Sequence, residues 1–164
     1  MILALDPGTT QTGLVVVMPL DPPAVLQALT LPNAQVLTYL SHQQLSLVVI
    51  ERFASYGMAI GQTTIDSIEW GGRLWQAAEA LGLPVRRIFR REVKLAICGS
   101  PRANDATIRQ ALLDLYGGKE AAVGTKAKPG PLREVKGDAW SALALAVTLV
   151  RSLVVAGVGK DFNA

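Results

Sequence analysis

Leu45-Ser46-Leu47-Val48-Val49-Ile50-Glu51 is the stretch whose reading decides the fold. The apolar run over residues 45–50 has the pattern of a strand buried on both faces, inside a sheet rather than at its rim. Glu51 ends that strand with a carboxylate. Working outward, residues 1–5 and 13–18 are two short runs rich in branched apolar side chains, separated by Pro7-Gly8-Thr9-Thr10. They predict two strands joined by a turn, so the chain opens on a hairpin.

Residues 24–31 predict a third strand, and Pro32-Asn33 opens a helix that runs to about His42. From about residue 63 to residue 81, Ile65, Ile68, Leu74, Ala77, Ala78 and Leu81 recur at helical spacing, with Gly82 as C-cap. The Gly71-Gly72 pair inside this helix costs roughly 1 kcal/mol per residue relative to alanine, which predicts close approach of another backbone or a subunit seam. Residues 83–89 predict a strand and residues 105–116 a helix ended by Gly117-Gly118, with residues 99–104 as a loop. Residues 119–136, rich in Gly, Lys and Pro without periodicity, are expected to form a mobile surface loop long enough to be functional. Residues 139–155 predict a strongly apolar helix, and the tail beyond Gly157 is expected to fray. Strands first, then strand and helix alternating, describe a mixed α/β domain on one sheet.

A chain of 164 residues suits a single domain spanning 1–164 around one core. Half its residues are hydrophobic and 18% are charged, which argues against disorder. A lone cysteine, Cys98, excludes an internal disulfide and makes a zinc site improbable. The apolar stretch over residues 142–150 is too short to span a bilayer, and the N-terminus lacks a signal-peptide pattern, so a cytoplasmic location without membrane contact is expected. The net charge of +3 is a mild bias, but its distribution is uneven. Arg86, Arg87, Arg90, Arg91 and Lys94 form one basic group; Lys119, Lys126, Lys128, Arg133 and Lys136 form another. Each is either solvated surface or a grip for a polyanion.

Three acids occupy places where a globular protein seldom puts one. Asp6 terminates the first strand, Glu51 follows the most buried one, and Asp138 opens the most apolar helix. Taken singly, Asp6 can be a turn acid before Pro7, Glu51 a surface residue and Asp138 a partner of the helix dipole. If the strands of Asp6 and Glu51 are neighbours, however, both carboxylates lie at one end of the sheet, and a C-terminal helix packed across it can bring Asp138 to the same point. Clustered carboxylates repel one another unless a divalent cation neutralises them. Oxygen ligands without Cys or a nearby His point to Mg²⁺ or Mn²⁺ rather than zinc.

The segments carrying these acids resemble a known family. ALDPGTTQTG, residues 4–13, is similar to the first catalytic strand of the RuvC family, LVVIERF, residues 47–53, to its second, and GDAWSALALA, residues 137–146, to its last catalytic helix. The segment at residues 83–118 is similar to the family's basic strand, lysine and helix block, particularly as phage-encoded members write it. The resemblance implies an RNase H-like fold, with a mixed five-stranded sheet and helices on both faces. It implies a crossover junction endodeoxyribonuclease, acting on Holliday junctions and other branched DNA in a bacterial or phage-infected cell. Asp6, Glu51 and Asp138 match catalytic, metal-holding positions, with two Mg²⁺ or Mn²⁺ ions expected per site. Where many members carry a further aspartate three residues after Asp138, this chain has Ser141, which supplies no anionic ligand but can hold a metal-coordinated water.

The same resemblance implies where DNA lies. Arg90, Arg91, Lys94 and Arg102 in the basic block, and Lys126, Lys128 and Lys136 in the loop leading to Asp138, are the candidate phosphate contacts, with Lys94 matching a family lysine. Phe53 and Tyr56 fall where related resolvases place an aromatic wedge against unpaired bases; core packing is the other reading. Trp70, Trp75 and Trp140 are expected to be structural, and His42 a surface or capping residue. Two cuts across a junction imply a homodimer.

Three other readings remain. The DPGTT turn also resembles the phosphate loop of the actin-like phosphotransferases, whose two-domain design this length cannot accommodate. A DNA-binding module with a decayed site is favoured by Ser141. A related nuclease acting on RNA or linear DNA shares the same residues.

Overall fold

A computed structural model describes residues 1–55 and 57–157. Five strands, β1 (Ile2–Pro7), β2 (Gln11–Met18), β3 (Ala24–Pro32), β4 (Leu47–Arg52) and β5 (Val85–Phe89), form one sheet in the order β3-β2-β1-β4-β5. The first three strands run antiparallel as a meander, while β1, β4 and β5 are parallel. Helices α1 (Asn33–Ser41), α2 (Gln62–Ala80), α3 (Arg90–Cys98), α4 (Asp105–Leu115), α5 (Lys119–Val123) and α6 (Ala139–Val155) complete the chain.

Strand alternation divides the core in two. Ile2, Ala4, Val15, Val17, Leu47 and Val49 face one side, where they are covered by α6, with Val93 of α3 and Ile108 and Leu112 of α4 completing that core. Leu3, Leu5, Leu14, Val16, Val48 and Ile50 face the other side, against Val36 and Leu40 of α1 and Leu74 and Ala78 of α2. Residues 142–150 of α6 are buried without interruption, and the alanines among them let the helix settle closely across β1 and β2.

The predicted elements occur where the periodicity places them, apart from two stretches. Residues 90–98, where the sequence pattern predicts no element, form α3. Strand β5 passes into it directly, the Phe89 backbone N–H donating to Glu92 Oε2 at 2.7 Å in place of a turn-forming residue. Residues 119–136 are less loop-like than expected. They begin with α5, make an isolated bridge between Gly124 and Pro129, and bury Ala122, Leu132 and Val135 in the core beneath α6. Among the described residues the Gly71-Gly72 pair makes no close backbone approach: a Cβ at Gly71 would meet Pro7 at an ordinary 3.8 Å, and one at Gly72 would meet none of them within 4 Å. Gly82, with φ of +73°, follows the end of α2 as the C-cap reading requires.

Candidate active site

The register of the sheet gathers the site. Leu5 of β1 pairs with Ile50 of β4, so Asp6 and Glu51 stand side by side one step further along parallel strands. Both continue the alternation of Ile2 and Ala4, and of Leu47 and Val49, so both point to the face covered by α6. On the other side of Asp6 its antiparallel partner is Gly13. A Cβ built on Gly13 would overlap the backbone of Asp138, so the N-terminus of α6 rests directly on that strand. The turn between β1 and β2 is fixed from the opposite face: buried Thr12 donates to Asn33 Oδ1 at 2.7 Å, and Asn33 Nδ2 donates to the Gly8 carbonyl at 3.0 Å.

Asp6 and Glu51 lie close enough to share a proton, and burial raises the pKa of both. Glu51 is pushed up to about 8 by burial first and by the Asp6 charge second. For Asp6, burial outweighs the opposing influences of Glu51, Arg90 and the Ser141 hydroxyl, while Asp138 adds a like charge. Arg90 supplies the counter-charge. Its Nη1 stands 3.4 Å from Glu51 Oε1, and its Nη2 pairs with Asp105 at the start of α4. Burial works against the Arg90 cation, yet Glu51, Asp105 and Asp6 hold it more firmly protonated than usual.

Asp138 is placed differently. It is exposed, and Gln11 Nε2 donates to its Oδ2 at 3.3 Å. Among the described residues no three His, Cys, Asp or Glu side chains stand together as a group able to hold a metal ion. Two adjoining carboxyls whose charged forms burial disfavours, with the Asp138 carboxylate and the Ser141 hydroxyl nearby and Arg90 beside Glu51, nonetheless fit a hard divalent cation, which would relieve their repulsion.

The remaining predicted site residues are spread around this centre. Phe53 is half-buried and lines a cavity of about 30 Å³ with Ile50, Glu51, Ile68, Gly71 and Arg87. Tyr56 lies outside the described residues. Arg91 and Arg102 are exposed, Lys94 is half-buried on α3, and Lys126 and Lys128 are exposed. Lys136 is exposed and pairs with Glu134 at 3.3 Å. Arg90, read from sequence as a phosphate contact, pairs with Glu51 and Asp105. Trp75 packs against the second core cluster beneath Arg87, as a structural residue should, and His42 is the exposed C-cap residue of α1. Trp140 departs from that expectation in part. While packed on the core cluster, it also lines a cleft of about 570 Å³ beside the acids, together with Asp105, Arg109, Lys119, Asp138 and Ser141. No local pattern marks Gln11, Asp105 or Arg109 as neighbours of the site, because each meets a partner distant in the chain, Asp138, Arg90 and Trp140 respectively.

Thermus thermophilus RuvC matches the structure with a TM-score of 0.66 at 19% identity, over 94% of this chain and 96% of that one. The chain has the RuvC fold. The Thermus RuvC in complex with a Holliday junction substrate gives a TM-score of 0.65 at 21% identity, over 93% and 94% of the two chains. Fowlpox virus resolvase, solved with substrate Holliday junction DNA, gives 0.55 at 11% identity, over 93% of this chain and 100% of that one. No family model and no curated protein sequence matches the chain. The RuvC fold thus accounts for the mixed sheet and for helices on both of its faces, and among the described residues no helix is long and apolar enough to cross a membrane.

Proposed function

We propose that the protein is a metal-dependent, structure-selective endodeoxyribonuclease that resolves Holliday junctions and other branched DNA by paired phosphodiester hydrolysis. The observation that carries this reading is half-buried Asp6 beside buried Glu51 at the ends of adjacent parallel strands, next to the start of α6, on a fold shared with two proteins whose structures contain junction DNA. Asp6 and Glu51 are the proposed metal-holding oxygens, with Asp138 as third donor and Mg²⁺ or Mn²⁺ as the ion, two per site in the finer form of the proposal. Such an ion supplies Lewis-acid stabilisation of charge at phosphorus and lowers the pKa of the attacking water. The chain's own residues position that chemistry. Arg90 holds Glu51 in place through a charge-assisted contact, and the Ser141 hydroxyl favours the charged form of Asp6. Exposed Arg91, Arg102, Lys126 and Lys128, with half-buried Lys94, are the proposed phosphate contacts. Phe53 is the proposed wedge residue, and a two-fold homodimer presents two sites to the two strands.

Incubation with synthetic four-way junction, duplex and single-stranded DNA in Mg²⁺ or Mn²⁺ tests this directly. Symmetric nicks in the junction are expected, lost in D6N while junction affinity is kept. Cutting by D6N at the wild-type rate would sink the assignment. Ser141 in place of a further acid, and the lack of a grouped set of three acids among the described residues, favour one second reading, a branched-DNA binder without cleavage; tight junction binding with no cutting in either metal would establish it.

A further inference from the structure

The cleft of about 570 Å³ beside the acids is lined by two carboxylates, Asp105 and Asp138, two cations, Arg109 and Lys119, and Trp140 and Ser141. Asp138 and Ser141 form its wall on the side of the acids, so the cleft and the candidate active site are continuous. From α6, Trp140 contributes a half-buried indole; from α4, Arg109 lays its guanidinium over that ring, 4.8 Å from its centroid. Lys119, at the start of α5, adds a second cation. A planar aromatic with a guanidinium stacked upon it, and free cationic N–H groups at the margin, has the chemistry of a seat for a base and its phosphate.

We infer that this cleft seats the nucleotide next to the cut, the Trp140–Arg109 stack carrying its base and Arg109 and Lys119 its phosphate. The inference rests on the nuclease reading and adds to it a fixed strand position. Phe53 lies elsewhere, beside Ile68 and Arg87 on the α2 side of Glu51, so the two aromatics would serve different nucleotides. Stacking is indifferent to base identity, so the contact adds affinity and register rather than sequence preference.

The experiment pairs protein variants with junctions in which single nucleotides flanking the cut are replaced one at a time by abasic sites. With wild-type protein, one position is expected to lose about five- to a hundredfold in kcat/KM when its base is removed. At that position W140A should show no further loss, the two changes being non-additive, while abasic sites elsewhere add normally to W140A. Because Trp140 is half-buried and its truncation can unsettle α6, R109A and R109Q on exposed Arg109 provide the second arm. Both should show the same non-additivity and a junction affinity less steep in salt, and R109K should recover the salt dependence alone. Additive effects at every position, in both the Trp140 and the Arg109 variants, would overturn the inference while leaving cleavage intact. Absence of junction cutting and binding by the wild type would instead remove the nuclease reading and this inference with it.

Discussion

The two faces of the sheet are built from the same strands one residue out of phase, and they end differently. On the face of α1 and α2, the apolar alternation of Leu3 and Leu5 runs on into buried Pro7, and the neighbouring polar pair, Thr12 and Asn33, is consumed in fixing a turn. On the face of α6, the alternation of Ile2 and Ala4 runs into Asp6, and that of Leu47 and Val49 into Glu51, two acids without a full set of opposite charges. One face closes its polar requirements internally; the other leaves them open. The second arrangement costs stability, and such a cost persists where it serves chemistry.

Substitutions on the two faces should therefore separate activity from stability. The largest effect is expected from E51Q, which keeps the shape but removes the charge: junction cleavage should fall on the order of a thousandfold or more, while the melting temperature holds or rises. L5A, on the opposite face and fully buried, should do the reverse. It should lower unfolding free energy by about 2–5 kcal/mol in a denaturant titration and leave cleavage per folded molecule near normal. Loss of activity in the L5A protein beyond its unfolded fraction would mean that the faces are coupled.

Acidity sharpens the contrast further. Glu51 titrates near 4.5 in an unfolded chain and at about 8 in the folded one, so the folded form keeps a proton that the unfolded form releases. The associated stability is complete below the lower value and disappears as pH rises through the upper one. Metal-free protein should accordingly melt at a lower temperature at pH 8 than at pH 5, with Mg²⁺ or Mn²⁺ recovering part of the difference at pH 8. In E51Q the dependence over that window should flatten; an unchanged slope would place its origin elsewhere. The smallest effect should come from K126A combined with K128A. Cleavage in low salt should change little, and the salt dependence of junction binding should weaken by roughly one to two units of slope.

Much of this was legible in the chain itself, for reasons that the same comparison exposes. Short uninterrupted apolar runs locate β1, β2 and β4, and an acid directly after such a run marks the end of the sheet where Asp6 and Glu51 meet. The long apolar run after Asp138 identifies α6 equally well. Helix α3 was hidden because it starts on Arg90 and Arg91 with no capping residue before it, and because it buries only Val93 fully. The role of Arg90 was hidden too: its partners, Glu51 and Asp105, belong to β4 and α4, and no local pattern links the three. Residues 119–136 have a loop's composition, yet Leu132 and Val135 anchor them, since two buried side chains suffice to hold an irregular segment. Trp140 looked structural because aromatics usually are. Only the stacking of Arg109 upon it and the opening of the cleft show its second aspect.

Gly13 carries the last consequence. With only a hydrogen where other residues begin a side chain, it sets the depth to which the start of α6 can sink, and so the height of Asp138 above its neighbours. Any larger residue there would lift the helix like a shim under a hinge. Damage at a position with no functional group of its own would then be felt as misaligned chemistry before it was felt as unfolding.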